Sequence, residues 1–131
     1  MDAADAARRW AREWNRAWRE HDADRVRGLY AEGADFRSSP FRKPQPPGDY
    51  AAWAFETEAT EPDVRFGEPL VVDDDRAFVE YWATVRDEAG KETTIAGVSL
   101  LRFDDAGLVS EQRDYWNESE GHREPHRRWG S

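Results

Sequence analysis

Asp114 is the residue of this chain best placed to do chemistry. It stands in the run Gln112-Arg113-Asp114-Tyr115-Trp116-Asn117, an aromatic, β-forming stretch that reads as the interior of a strand. A buried charge without a partner costs several kcal/mol, roughly, or shifts its pKa instead. Alternate side chains of a strand face opposite ways, so Arg113 cannot neutralise its neighbour on the same face. If Asp114 points into an aromatic cavity containing Tyr81 and Trp116, desolvation raises its pKa and makes it a general base or acid for a small apolar substrate. The other reading makes it an acceptor for Gln112, Ser99 or a helix-borne Trp indole, fixing the shape of a pocket. The sequence leaves both open.

The strands that must carry this acid follow from alternation. Val64–Val72, Ala77–Arg86, Thr93–Phe103 and Leu108–Asn117 are separated by the turn sequences Asp73-Asp74-Asp75, Glu88-Ala89-Gly90 and Asp104-Asp105-Ala106-Gly107, which predicts an antiparallel meander. One face of it collects Val79, Tyr81, Ala83 and Val85, then Ile95, Gly97 and Ser99, then Ser110, Gln112, Asp114 and Trp116. That mixture of apolar, small and convergent polar groups suits a ligand cavity. The other face, with Phe78, Trp82, Ala96, Val98, Leu100 and Tyr115, is also apolar and predicts a homodimer through the outer side of the sheet.

Upstream, Ala7, Trp10, Trp14, Ala17, Trp18 and His21 recur at three- and four-residue steps, which predicts a helix over Ala3–Glu20. These tryptophans are first a core stripe, and the rings of Trp14 and Trp18 are candidates to reach the cavity. Asp22 can cap a second, short helix carrying Val26, Leu29 and Tyr30 and ending near Gly33. An extended piece, Asp35–Ser38, leads into the proline-rich stretch from Pro40 to Gly48, read as a loop or lid. Asp49 can cap a third helix that presents Tyr50, Trp53, Ala54 and Thr57. Arg37 reads as a surface residue, and His21 as an imidazolium favoured by the C-terminal dipole of its helix. The expectation is an α+β domain over residues 1–118, with three N-terminal helices packed on a strongly curved, mainly antiparallel sheet, and a loosely held polar tail over 119–131.

At 131 residues and a net charge of −9, the chain has one domain's length and the wrong sign for a nucleic-acid binder or a polybasic membrane anchor. The absence of cysteine removes disulfides, thiolate nucleophiles and Cys-based metal sites. His122 and His126 flank Pro125 in the wrong order for a zinc helix, and Asp73-Asp74-Asp75 lacks the ligand spacing of a calcium loop. No metal, cofactor, nucleic-acid or membrane partner is expected. Met1–Arg9 holds no apolar run, so a cytoplasmic location is the default.

The segments Trp14-x-x-Ala17-Trp18-x-x-His21-Asp22-Ala23-Asp24, Leu29-Tyr30-Ala31-Glu32 and Arg113-Asp114-Tyr115-Trp116-Asn117 resemble the SnoaL-like branch of the nuclear transport factor 2-like superfamily. The resemblance spans roughly Trp10 to Asn117. That superfamily includes polyketide cyclases, ketosteroid isomerases and limonene epoxide hydrolases. The resemblance implies a cone-shaped α+β barrel with one hydrophobic pocket, dimerised through the sheet. Asp114 matches a catalytic aspartate of the epoxide hydrolases, in their own Arg-Asp-Tyr strand. The Arg and second Asp of those enzymes align with Tyr81 and Ala83, and their water-holding Tyr and Asn with Phe36 and Ser38. The aspartate that the isomerases carry before a proline aligns with Ser39. The implied protein is a small-molecule isomerase, cyclase or hydrolase holding a hydrophobic substrate among Trp53, Tyr81 and Trp116, with Gln112 or Ser99 orienting it. A non-catalytic binding protein or dimerisation module using the same fold is the alternative.

Overall fold

The first helix, α1 (Ala3–Glu20), is fixed at both ends by its sequence. The Asp2 carboxylate accepts the Asp5 backbone N–H at 2.8 Å, and His21 closes the helix in the left-handed region at φ 55° with its N–H on the Ala17 carbonyl. Between the caps, Trp10, Trp14 and Ala17 face the core, as an apolar stripe at helical period must. The computed structural model describes residues Met1–Ser131.

The second helix, α2 (Ala23–Arg27), is capped by Asp22 through the Arg25 N–H as expected, but stops at Gly28. Leu29 and Tyr30 are therefore not helical. Tyr30 opens strand β1 (Tyr30–Arg37), whose pairing with a distant strand overrides the local periodicity. Helix α3 (Pro47–Glu56) begins after Pro46 with no side-chain cap, so Asp49 belongs to the first turn rather than capping it. Proline's fixed φ and missing donor suit that helix start.

The remaining strands are β2 (Asp63–Phe66), β3 (Leu70–Val71), β4 (Arg76–Arg86), β5 (Glu92–Phe103) and β6 (Val109–Glu120). The single strand expected over Val64–Val72 is thus two, interrupted at Gly67-Glu68-Pro69, and both pieces pair with β4. The order β1-β6-β5-β4-β2 makes a mixed, unclosed six-stranded sheet. Its β4, β5 and β6 form the expected antiparallel meander, whereas β1 runs parallel to β6. Because β1 lies between α2 and α3, the three helices do not precede the sheet as a block. The core sits between α1 and α3 and the inner face of the sheet, built from Trp10, Trp14, Phe36, Phe55, Val79, Leu101, Phe103 and Val109 among others. No helix is long and apolar enough to cross a membrane.

Beyond β6 the chain does not hang free. Residues 121–131 turn back across the outer face of the sheet. Trp82 donates its indole N–H to the Arg123 carbonyl at 2.9 Å, Thr84 meets His122 Nδ1 at 3.0 Å, and the Glu68 N–H donates to the Gly130 carbonyl. A Cβ on Gly67 would lie 2.7 Å from the Gly130 Cα, so the backbone crossing requires glycine there.

Candidate active site

The inner face of the sheet, α1 and α3 enclose a cavity of about 320 Å³. Trp10, Trp14, Phe55, Tyr81, Ser99 and Gln112 line its buried end, and exposed residues such as Trp53, Arg86, Lys91 and Glu118 form its rim. Successive inward residues of β6 therefore run from Gln112 through Asp114 and Trp116 to Glu118, from depth to opening.

Eight of the residues singled out from the sequence converge there: Trp14, Trp18, Trp53, Tyr81, Ile95, Ser99, Gln112 and Trp116, together with Asp114. Four others lie outside the lining. Phe36 is fully buried in the core, edge-on to Tyr30. The Ser38 hydroxyl is turned to Arg42 and Gln45, and only its carbonyl faces the site, accepting the Trp116 indole N–H at 2.6 Å. Ala83 is fully buried beneath the wall and too short to reach the space. Gly97 has no side chain to offer, and a Cβ there would lie 2.3 Å from the Tyr115 carbonyl and 2.6 Å from the Trp116 Cβ. Trp116 is bulky and sits directly opposite Gly97, so the glycine is what lets that indole lie against the sheet.

Asp114 is held from one side. Ser99 Oγ donates to its Oδ1 at 2.6 Å and Gln112 Nε2 to the same oxygen at 2.9 Å. Gln112 is itself fixed: its Oε1 accepts the Tyr30 hydroxyl, and that hydroxyl accepts the indole N–H groups of Trp10 at 3.2 Å and Trp14 at 2.9 Å. The relay runs from α1 through β1 to β6, and its members are of the types whose polar tips must find partners when buried. The other carboxyl oxygen, Oδ2, makes no hydrogen bond with the protein and Asp114 lines the cavity.

The electrostatics follow from this arrangement. Burial pushes the Asp114 pKa up to about 7, against the opposing pull of the Ser99 and Gln112 hydrogen bonds. No Arg or Lys pairs with it; Arg37 is partly exposed and bridges Asp35 instead. Near neutral pH both forms of Asp114 are then populated. With Oδ1 occupied by two donors, the proton of the neutral form belongs on Oδ2. Tyr81 and Tyr50 are driven upward, first by burial and then by the Asp114 charge, Tyr50 to about 12, so both phenols stay protonated.

Two further lining residues, Arg42 and Glu58, carry no signal in the sequence. Arg42, in the proline-rich loop, lays its guanidinium 5.6 Å from the Trp53 ring and 5.7 Å from the Trp116 ring. Glu58 follows α3 and accepts the Trp18 indole N–H at 2.8 Å, and burial pushes its pKa up to about 7. His21, expected as an imidazolium, is instead stacked on Phe55 at 5.1 Å, and desolvation lowers its pKa. Desolvation outweighs the helix dipole at this cap. Neither Arg42 nor Glu58 stands in a periodic pattern, which is why only the folded chain reveals them.

The fold is thus α+β, with an aromatic-lined cavity against the inner face of the sheet and the Asp114 carboxyl in its lining. The SnoaL-like domain model matches residues 11–112, and the chain belongs to that family. Among solved structures it is similar to SalBIII, an epoxide hydrolase/cyclase-like enzyme of pyran ring formation in the polyether salinomycin, with a TM-score of 0.76 at 16% identity over 92% of this chain and 100% of the other. It is also similar to the Δ5-3-ketosteroid isomerase from Mycobacterium sp., with a TM-score of 0.68 at 17% identity over 92% and 100%. A limonene-epoxide-hydrolase-like enzyme from M. tuberculosis gives 0.67 at 15% identity over 87% and 84%. At these identities the likeness establishes the fold alone. No curated protein matches the sequence.

Proposed function

We propose that the protein is a small-molecule enzyme in which Asp114 moves a proton on a hydrophobic substrate, by isomerisation, cyclisation or hydrolysis. The observation that carries this reading is the asymmetry of the carboxyl: Oδ1 is locked by Ser99 and Gln112 while Oδ2 is left without a protein partner in a cavity walled by tryptophan and tyrosine. As carboxylate, Oδ2 takes a proton from a substrate C–H or from an attacking hydroxyl; as acid, it returns that proton to another substrate atom. A pKa near the operating pH serves both halves. Trp53, Tyr81 and Trp116 supply apolar walls, and the protonated Tyr81 phenol is a donor for a substrate oxygen. The similar structures named above include a cyclase-like enzyme, an isomerase and an epoxide hydrolase-like enzyme, which supports this range of reactions.

A second reading rests on what stands beside the acid. Where epoxide hydrolases carry an Arg and a second Asp, this chain has Tyr81 and Ala83, so the same cavity would hold or sense a hydrophobic ligand without turnover. A thermal-shift screen with steroids, terpenes and aromatic polyketides, followed by assays of the hits, separates the two. Asp114→Asn is expected to lower kcat by about 100-fold or more, as loss of a positioned general base does, while the ligand still binds. Unchanged turnover removes the catalytic assignment; binding without any turnover favours the second reading.

The outer face of the sheet is proposed as a homodimer interface. Phe78, Leu70 and Tyr115 are exposed there, and the tail leaves them uncovered. Light scattering at micromolar concentration is expected to give twice the chain mass.

A further inference from the structure

Glu58 presents the same chemical puzzle as Asp114, at the opposite end of the cavity. Its side chain is only 11% exposed, yet it has no cationic partner in hydrogen-bonding geometry. Trp18 Nε1 occupies Oε1, and Oε2 has no protein partner. The cations nearby are all engaged elsewhere. Arg86 bridges Glu92 at 3.4 Å and Lys91 bridges Glu120 at 3.6 Å, while Arg42 donates to Ser38 Oγ and rests on Trp53 and Trp116. His21 Nε2 comes to 3.5 Å from Oε1, but it is buried with no hydrogen-bond partner at all. Two polar groups without partners, one carboxyl oxygen and one imidazole nitrogen, thus sit together beside the rings of Trp18 and Phe55.

An enclosed carboxylate is stable only if something charged and hydrogen-bonding meets it. Other rings of the same cavity already show what such faces accept, since Trp53 and Trp116 carry the Arg42 guanidinium, and aromatic faces attract cations. We infer that Glu58 is a second ligand-contacting acid, which receives the protonated amine of an otherwise apolar, aromatic-sized ligand at the open end of the cavity. An ammonium has three N–H donors, one of which meets Glu58 Oε2, and its carbon chain then runs inward past Trp14 toward Asp114, both of which line the same cavity. Trp18 lies four residues, about 6 Å, beyond Trp14 along α1, so the amine and the group facing Asp114 are distinct parts of one ligand. This deepens the proposed function and rests on it: the substrate class becomes hydrophobic amines rather than neutral polycycles.

The test compares two rigid probes that differ only in the head group, 4-biphenylmethylamine and 4-biphenylmethanol, titrated at pH 7.5 by tryptophan fluorescence and by amide NMR shifts. The wild type is expected to bind the amine at least tenfold more tightly than the alcohol. Glu58→Gln keeps an oxygen for the Trp18 indole, and so the fold; it should erase the preference while leaving alcohol binding within twofold. Asp114→Asn should leave the preference in place. Equal binding of the two probes by the wild type overturns the assignment of Glu58 and leaves the hydrophobic cavity standing. A preference that survives Glu58→Gln, or vanishes in Asp114→Asn, overturns it as well, the latter by moving the cation to Asp114. Binding of neither probe overturns both this inference and the ligand-binding reading beneath it.

Discussion

The two faces of the sheet use polar residues in opposite ways. On the inner face, Tyr30, Gln112, Ser99 and Asp114 form a directed relay anchored on two tryptophans of α1, in which every oxygen but one is occupied. On the outer face, Thr84, Thr94 and His122 form a cluster roofed by an exposed ion pair, Arg65 with Glu124 at 2.9 Å. The Arg65 guanidinium lies 4.3 Å from the Trp82 ring centroid. The inner network leaves one acid facing a cavity, whereas the outer one closes upon itself. An incomplete polar set facing an enclosed space is what singles out the inner network as the candidate site.

That contrast can be broken at its outer half with the largest effect. Trp82 is 1% exposed, with the tail's His122 edge-on at 5.5 Å and its indole N–H on the Arg123 carbonyl. Trp82→Ala is expected to cost about 3–5 kcal/mol, as truncation of a buried aromatic does, and to release residues 121–131. Denaturant unfolding measures the first, and proteolysis near Arg123 the second. Phe78→Ala on the same face, at a residue 41% exposed, should cost far less, about 1 kcal/mol. Equal losses would mean that the tail contributes nothing to burying Trp82. On the inner half, Tyr30→Phe strips the two indole donors and the Gln112 acceptor of their shared partner. Unpaired buried groups cost about 1–3 kcal/mol, and the same variant should shift the Asp114 titration, because Gln112 loses its orientation. A melting temperature unchanged by Tyr30→Phe would show that water replaces the hydroxyl and that the relay is not a fixed structure.

These networks were unequally legible in the sequence. The period of Trp10, Trp14 and Trp18 fixes α1, and two-residue alternation puts Ser99, Gln112 and Asp114 on one face, because both depend only on local geometry. Val26, Leu29 and Tyr30 fit a helical period, but the place of Tyr30 on a strand depends on a parallel pairing with Val109, a contact far along the chain. The break at Gly67-Glu68-Pro69 depends likewise on the tail crossing it. Residues that meet only through folding, such as Glu58 with Trp18 and His21, or Arg42 with Trp53 and Trp116, leave no periodic trace. The alternation argument also assigns direction without reach, which is why Ala83 and Gly97, on the correct face, do not line the cavity.

A small effect is the most discriminating, because only an enclosed acid produces it. Asp114 is raised to about 7 in the folded chain, whereas an unfolded aspartate titrates near 3.9. The folded state therefore holds the proton more tightly, and stability from this residue is full below about pH 4 and is lost progressively as pH rises toward 7. Asp114→Asn removes the ionisable group while still accepting from Ser99, so at pH 8 it should be more stable than the wild type by about 1–2 kcal/mol, a figure reduced for the water the cavity admits. At pH 4 the two should unfold together. Ordinary surface aspartates give no such gap, and Asp73, held down to about 2 by Arg76, works in the opposite direction and at lower pH. Urea midpoints of both proteins at pH 4 and pH 8 make the measurement, and a gap that is absent, or that favours the wild type at pH 8, would show that the Asp114 carboxyl is solvated like those of the outer face.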